Sequence, residues 1–171
     1  MKEKIIILLF IANLNLVYSQ TEISSNFKIE NNEIIWQKII DIKDKKSEYS
    51  KSLKLKEFFN KLEWAENSIT GKTGEKDLKI KSPYWASFPF ESFVKIEFKE
   101  NRCRVTFSNI TFDGPEILVS GVKHKYDYKL SKEAQKKGNF KRSKKVRKVL
   151  SILNDFFDKI TINEIKEKSD W

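Results

Sequence analysis

An alternating pattern near the middle of the chain places the strongest constraint on its fold. Apolar residues from Val94 to Phe98 alternate with charged residues, a polar pair follows, and the same alternation returns from Cys103 to Phe107. A period of two puts every second side chain on one face of a β-sheet. The pattern therefore predicts an antiparallel hairpin with one apolar face, and a fold that must cover this face.

Two segments with helical spacing could supply the cover. In residues 47–62, apolar side chains recur at i, i+3, i+4 and i+7, which is typical of an amphipathic helix. From Ser143 onward, a longer apolar stripe predicts a second helix. The residues of this stripe are Val146, Val149, Leu150, Leu153, Phe156, Phe157 and Ile160.

Further strands are predicted at residues 33–42, 64–72 and 77–81, where apolar and β-branched residues recur between turn signals. The second strand of the hairpin is expected to extend to Phe112 and to end at residues 113–115, where Asp, Gly and Pro form a turn signal. The resulting order is strand, helix, four strands, helix. We therefore predict an α+β fold, a two-layer sandwich of an antiparallel sheet and helices.

The N-terminus has the pattern of a secretory signal peptide over residues 1–19. Lysines precede an apolar run, and Val17 and Ser19 occupy the positions that a signal peptidase reads. After cleavage, the polar residues 20–32 would form a flexible leader, and residues 33–171 a single domain. We expect a periplasmic or secreted protein with no transmembrane segment in its mature chain.

The positive charge of the chain is concentrated in one stretch. The formal net charge is +10, and residues 123–148 hold twelve Lys or Arg against only Asp127 and Glu133, so this stretch accounts for the whole excess. One interpretation is a solvated connection, loosely held over residues 123–142. The other is a local anion-binding surface. Its candidate residues are Lys136, Lys137, Lys141, Arg142, Lys144 and Lys145.

Aromatic residues cluster in a segment that contains two prolines. These aromatic residues are Tyr84, Trp85, Phe88 and Phe90. Such a loop could form a ligand-binding platform on which a sugar ring or a lipid chain packs. Alternatively, the loop is tucked over one end of the sheet and its rings belong to the core. Trp36 and Trp64 fall in predicted strands, and we expect both in the core.

No set of residues predicts catalysis, a cofactor or a metal site. The Gly-Lys-Thr sequence at residues 71–73 resembles the end of a phosphate-binding loop, but Glu66 stands where that loop needs glycine. His124 is the only histidine, and neighbouring lysines disfavour a bound cation. Cys103 is the only cysteine, which excludes an intramolecular disulfide, and its position in the hairpin predicts core packing. The sequence thus favours a protein without enzymatic activity.

Several features between residues 34 and 112 belong together. They are an early strand, a helix that ends near Phe59, a strand end at residues 69–72 and the hairpin at residues 94–110. In this combination the chain resembles a family of small exported bacterial domains of unknown function described as having a TBP-like fold. The resemblance implies the same order of strands and helices, and it carries no catalytic residue. Nothing beyond Phe112 matches, and the name of the fold implies no DNA binding, because function depends on sites.

Three hypotheses about function remain open. The first is an exported, non-enzymatic domain that binds a partner in the cell envelope or outside the cell. The second is a carrier that holds a small apolar ligand in a cavity between the sheet and the helices. The third is electrostatic docking of residues 136–148 onto anionic lipid headgroups or polysaccharide. Possible partners are thus an anionic envelope surface, a polysaccharide or a protein, and export argues against nucleic acid.

Overall fold

The structure, a computed structural model, describes residues 26–42 and 59–161. The predicted signal peptide at residues 1–19 and the part of the predicted helix at residues 47–58 lie outside the described residues. Within them, an antiparallel sheet is covered by one long helix, so the prediction of an antiparallel α+β architecture is confirmed. Neither of the helices in this part of the chain is long and apolar enough to cross a membrane.

Within the described residues, the main sheet has seven strands in the order β1-β2-β6-β5-β4-β3, and β7 pairs with the distal part of β6. All of these pairings are antiparallel. The elements are β1 (Phe27–Glu30), β2 (Glu33–Asp41), β3 (Phe59–Trp64), β4 (Ser68–Thr73), β5 (Phe90–Lys99), β6 (Arg102–Val119), β7 (Val122–Lys129), α1 (Leu130–Ala134), β8 (Gln135–Lys136), β9 (Asn139–Phe140) and α2 (Lys144–Thr161), with a 3-10 turn at Tyr84–Ala86.

The predicted hairpin is present as β5 and β6, and it lies at the centre of the sheet. Ile96 is opposite Val105 and Val94 is opposite Phe107. All four side chains are at most 1% exposed. The free edge of β6 is occupied by β2, which places Trp36 opposite Phe107. The alternation in the sequence therefore corresponds to the covered face of a central strand pair.

Helix α2 covers this face, as its apolar stripe predicts. The ring of Phe157 stacks on that of Phe107 with centroids 4.2 Å apart, and it lies 5.6 Å from the ring of Trp36. Burying each such side chain stabilises the fold by about 1.5–3 kcal/mol. The indole Nε1 of Trp36 donates a hydrogen bond of 2.9 Å to Oδ1 of Asn154 on the same helix. The contact between sheet and helix is thus both apolar and specifically oriented.

The sheet begins earlier than the sequence indicates. Strand β1 lies inside residues 20–32, which we predicted to be a flexible leader. Phe27 is only 6% exposed, and its ring lies 6.3 Å from that of Phe157. The four-residue strand pairs with β2 through a tight turn at Asn31 and Asn32, both of which have positive φ angles. Phe27 and Ile29 do alternate with charged residues here, but four residues are too few for this alternation to stand out in a polar segment.

Three other local predictions are wrong. Residues 59–62, assigned to the end of a helix, belong to β3, and residues 77–81, assigned to a strand, lie in the connection between β4 and β5. Trp64 is 41% exposed rather than in the core. Strand β3 pairs only with β4 in the described part of the sheet. An edge position of this kind leaves one side of the strand uncovered, which explains the exposed indole.

The turn predicted at residues 113–115 is also absent, because β6 continues to Val119. Its pairing with β7 shifts register between Asp113 and Glu116. Such a bulge accommodates Pro115, which cannot donate to the ladder. An added Cβ at Gly114 would lie 2.0 Å from the carbonyl oxygen of Tyr126, so glycine permits a close approach of strands here.

The basic residues 123–142 are folded rather than loosely held. They form β7, α1 and the small hairpin of β8 and β9. Leu130 and Ala134 of α1 are fully buried and anchor the segment to the core. The turn between β8 and β9 places Lys137 and Gly138 in the positive-φ region. Regular structure therefore coexists with exposed lysine side chains.

Candidate anion-binding groove

A groove of about 570 Å³ lies between the connection that precedes the 3-10 turn and the first turns of α2. Five of its lining residues are lysines, and no lining residue is acidic. The lining residues are Lys79, Ile80, Lys81, Ser82, Lys144, Lys145, Lys148 and Ile152. We call this site the lysine groove.

Local packing explains why the lysines of the connection face the groove. Ile80 is 5% exposed and anchors the connection to the core. The residues on either side of it, Lys79 and Lys81, are exposed. Asp77 holds the backbone just before Ile80 in place, because its Oδ1 accepts a hydrogen bond of 2.7 Å from the backbone N–H of Lys79. Lys79 has a positive φ angle of 56°, so the chain turns just before Ile80, and both lysines stay on the surface while Ile80 is held inside.

Helical spacing explains the other wall. Lys144 and Lys148 are four residues apart and so lie on one face of α2, with Lys145 beside them. Ile152 continues this face at the next turn and is half-buried. The buried stripe of the helix, which includes Val149, holds the opposite face against the sheet. The lysines therefore point away from the core at the beginning of the helix.

The electrostatics of the groove favour an anion. Lys79 forms an ion pair of 2.6 Å with Asp77, and the hydrogen bond from the side chain of Lys79 is the main reason that the pKa of Asp77 is lowered. Among the described residues, no carboxylate forms an ion pair with the other four lysines of the groove. Neighbouring like charges repel, and a bound anion would relieve that repulsion.

The direction of α2 adds to this effect. The N-terminal end of a helix carries a partial positive charge, and acidic side chains normally stabilise it. The first turn of α2 contains no acidic residue and begins with Lys144 and Lys145. Cations at this end are unfavourable by roughly 0.3–1 kcal/mol each. The first turn of α2 thus adds its partial positive charge to the charges of Lys144 and Lys145, and no acidic side chain in that turn offsets them.

The structure brings together only part of the anion-binding set predicted from the sequence. Lys144 and Lys145 line the groove, whereas the other four candidates do not. Lys136 and Lys137 lie in and beside the β8–β9 turn, and Nζ of Lys141 donates to the carbonyl oxygen of Lys132 at 3.2 Å. The remaining candidate, Arg142, is exposed just before α2.

Two groove residues, Lys79 and Lys81, were missed by the sequence analysis. They are separated from Lys144 by more than sixty positions, and the strand predicted at residues 77–81 gave no reason to join them to the helix. The only available signal was the cluster of lysines around Ile80. Its meaning depends on the tertiary packing that places the connection beside α2.

The predicted aromatic platform is divided between core and surface. Phe90 is fully buried, and Trp85 is 9% exposed with its ring 5.2 Å from that of Phe112. Tyr84 is 65% exposed, and its ring meets the half-buried Phe88 edge-on at 5.0 Å. These two residues remain available as a surface for a ligand.

A tyrosine from the basic stretch joins this surface. The ring of Tyr128 stacks on Phe88 at 5.9 Å and meets Tyr84 edge-on at 6.4 Å. The sequence analysis missed Tyr128 because lysines surround it on β7. Tyr84 also follows Ser82 of the lysine groove by two positions, so an exposed aromatic ring lies close in sequence to the basic lining.

The other residues considered as sites have structural roles or exposed positions. Cys103 is 1% exposed and packs in the core, as expected. An added Cβ at Gly71 would lie 2.8 Å from the carbonyl oxygen of Lys61, so this glycine serves strand packing rather than a phosphate-binding loop. His124 is exposed on β7 opposite Ile117. No group of three or more possible metal ligands occurs within residues 26–42 and 59–161.

The carrier hypothesis requires space between the sheet and the helices. In the described part of the molecule, rings of both layers meet there: Phe157 lies 4.2 Å from Phe107 and 5.9 Å from Phe90. Phe156 meets Phe90 edge-on at 5.7 Å. No observation from the described residues therefore favours a ligand between the layers.

Comparisons with known proteins agree with the fold and assign no activity. No protein-family model matches the chain, and no curated protein does. Among solved structures, a DUF4468 family protein from Bacteroides ovatus has a TM-score of 0.52 and 15% identity, and the match covers 81% of this chain and 87% of that chain. A TBP-like protein from Parabacteroides distasonis has a TM-score of 0.45 and 14% identity over 77% of this chain and 92% of that chain.

The fold of the Bacteroides ovatus protein agrees with the resemblance that the sequence indicates, which is to a bacterial domain of unknown function. At 15% identity, the likeness to the Bacteroides ovatus protein concerns the fold alone. The neighbours are uncharacterised, so the function of the present chain stays unknown from comparison. The chain shares its architecture with a DUF4468 family protein, and its function must be argued from its own side chains.

Proposed function

We propose that this protein is an exported, non-enzymatic binding domain that holds an anionic polysaccharide of the cell envelope or exterior in the lysine groove. The observation that carries the proposal is the lining of the groove, with five lysines and no acidic residue. The N-terminal end of α2 and the exposed ring of Tyr84 support it, because a charged sugar polymer offers both anionic groups and ring faces.

The shape of the site favours a polymer chain over a membrane surface. The lysines line a concave groove rather than a flat face, and a single extended chain can enter such a groove. A bilayer presents its headgroups in a plane and would reach only the rim. The proposal therefore selects polysaccharide from the two anionic surfaces that the sequence left open.

The binding test compares charged and neutral polysaccharides. Polygalacturonate carries one carboxylate per sugar, and dextran carries none, so the purified protein should bind the first and not the second. Exposed ion pairs contribute about 0.2–1 kcal/mol each, and salt screens them beyond about 8–10 Å at physiological ionic strength. Affinity for polygalacturonate should thus fall as the salt concentration rises.

A matched pair of variants locates the site. The triple variant Lys81→Gln, Lys144→Gln, Lys148→Gln removes three charges from the groove and should weaken binding roughly tenfold, since 1.4 kcal/mol corresponds to a factor of ten. The control variant Lys136→Gln, Lys137→Gln, Lys141→Gln removes the same charge outside the groove and should change affinity little. Equal losses in the two variants would show that only net charge matters, and the groove would be rejected.

Export is part of the same proposal and has its own test. The pattern at residues 1–19 supports cleavage after Ser19. Mass spectrometry of the protein recovered from its own cells should find an N-terminus at Gln20. If the uncleaved chain were recovered from the cytoplasm, the protein would not meet a polysaccharide of the envelope or exterior. The proposal would then be wrong even if the groove bound anions.

A further inference from the structure

A two-stranded ribbon forms the far end of β6 and β7. It comprises residues 113–129, and we call it the distal ribbon. Along β6, the pairing with β5 ends at Phe112, and the pairing with β2 ends at Phe107. Beyond these points β6 pairs only with β7 in the described part of the sheet. Two strands alone are marginally stable in water, and additional strands stabilise such a ribbon.

One face of the distal ribbon is apolar and uncovered in the described structure. Val119 lies opposite Val122, and Ile117 lies opposite His124, so these residues share a face with Tyr126. Ile117 is 41% exposed, Val119 44%, Val122 57% and Tyr126 46%. A contiguous exposed apolar surface of this kind is typical of interaction sites.

The charges of the distal ribbon cancel. Residues 113–129 contain three acidic residues and three lysines, in a protein whose net charge is +10. Two of the three lysines already have partners across the ribbon. Lys123 lies 3.6 Å from Glu116, and Lys125 forms an ion pair with Asp113. A neutral, apolar surface does not select a polyanion, whereas it does allow two copies of a basic protein to approach each other.

Strand β7 supplies an edge for such a contact. Its outer side has no strand partner within residues 26–42 and 59–161. Exposed strand edges are ready templates for pairing with another chain. We infer that two copies of this protein associate by antiparallel pairing of their β7 strands around Tyr126, which extends each two-stranded ribbon into a shared four-stranded sheet.

Charge complementarity at the centre of the contact supports this register. In a symmetric antiparallel pair centred on Tyr126, Lys125 of each copy lies opposite Asp127 of the other. Centring the pair on Asp127 would place Asp127 opposite itself and Lys125 opposite Lys129, and like charges opposite each other destabilise a sheet. Centring it on Lys125 would place Lys123 opposite Asp127 but would put two lysines opposite each other at the centre, and Lys123 already has Glu116 as its partner. Within one chain, Asp127 is opposite Asp113, and Lys125 forms its ion pair with Asp113. The second copy would supply Asp127 with a lysine of its own.

The remaining pairs of this register are compatible with association. Tyr126 faces Tyr126 of the second copy, and aromatic pairs across strands are favourable. His124 faces Tyr128 in the same way. Lys123 faces Lys129 at each end of the pairing, and Glu116 neutralises Lys123 within its own chain. The contact therefore has complementary charges at its centre and partly neutralised charges at its ends.

Charge reversal tests the inference. The oligomeric state of the purified protein is measured by sedimentation velocity over a range of concentrations, and the unmodified protein should form a dimer. Each single variant, Lys125→Asp or Asp127→Lys, should weaken the dimer at least tenfold, because each places two pairs of like charges in the contact. A mixture of the two single variants should restore it, because every central pair then joins opposite charges.

The mixture separates the contact from effects on the ribbon itself. Lys125→Asp also removes the ion pair with Asp113, but that loss persists in the mixture. Restored dimers therefore cannot come from a repaired ribbon. A monomeric unmodified protein, single variants that remain dimeric, or a mixture that stays monomeric would each overturn the inference. The groove variant Lys81→Gln, Lys144→Gln, Lys148→Gln should remain a dimer, so the contact and the proposed polysaccharide site fail or succeed independently.

Discussion

Replacing Phe157 by alanine should destabilise the protein more than any change at its surface. The side chain is fully buried, and rings of β1, β2, β5 and β6 surround it. Its centroid distances are 4.2 Å to Phe107, 5.6 Å to Trp36, 5.9 Å to Phe90 and 6.3 Å to Phe27. Four strands and α2 thus meet at one ring, so removing it weakens the contact between the two layers.

The expected magnitude follows from burial and cavity formation. A buried Phe→Ala change costs about 3–5 kcal/mol, because transfer free energy is lost and a cavity remains. The stacked pair with Phe107 adds about 0.5–1.5 kcal/mol beyond buried area. Since several aromatic neighbours would lose their contacts at once, we expect a loss of about 4 kcal/mol or more in the free energy of unfolding.

Urea denaturation followed by tryptophan fluorescence measures this loss, with Trp36 as a reporter beside the mutated site. Phe93→Ala is the matched control, because Phe93 is 39% exposed on β5 of the same sheet and should cost less than about 1 kcal/mol. A Phe157→Ala variant within 1 kcal/mol of the unmodified protein, or equal losses in both variants, would refute the placement of α2 on the sheet.

Three smaller changes test other contacts. Asn154→Ala should cost about 1–3 kcal/mol in urea denaturation, because the indole N–H of Trp36 loses its acceptor; an unchanged midpoint would contradict that hydrogen bond. Gly71→Ala should lower the melting temperature, since its Cβ would meet a backbone carbonyl of β3 at 2.8 Å, whereas an unchanged value would show that β3 can move away. The pKa of Glu97 is lowered, first by the hydrogen bond from Lys95, so its contribution to stability is present above the ordinary pKa and is lost as the pH falls through the lowered value. Glu97→Gln should therefore reduce the loss of stability on acidification below about pH 4.5, and identical acid profiles would oppose this assignment.

The sequence predicted best those elements whose pattern is long and local. The alternation of β5 and β6 and the stripe of α2 each extend over enough residues to define a face. Strand β1 alternates Phe27 and Ile29 with charged residues, but its four residues are too few for a period to be recognised. Residues 113–115 carry a strong turn signal, yet pairing with β7 and a bulge at Pro115 override it.

The candidate groove shows the same limit for function. Lys144 and Lys145 were found because they stand in a basic run, while Lys79 and Lys81 come from a distant connection. The sequence analysis also assigned too many residues to the site, because Lys136 and Lys137 belong to a hairpin outside the groove. Local charge counts identify a basic region, but only packing around Ile80 and α2 decides which lysines face one ligand.

The structure also separates the distal ribbon from the basic residues that follow it, and the two have different consequences. Residues 113–129 are neutral, whereas residues 130–148 contain nine basic residues and only Glu133 as an acid. The lysine groove includes lysines of this second segment, and the inferred dimer contact lies in the first.

Salt should therefore affect polymer binding and dimer formation differently. Because groove binding depends on several cations without acidic partners, it should weaken steeply between low and physiological ionic strength. The dimer combines backbone pairing and apolar contact with only two complementary charge pairs, so it should persist over the same range. Sedimentation velocity in the presence and absence of polygalacturonate, at two salt concentrations, measures polymer binding and dimer formation together. If higher salt abolishes both, they depend on one charged surface. If higher salt abolishes polymer binding and leaves the dimer intact, the two sites are separate.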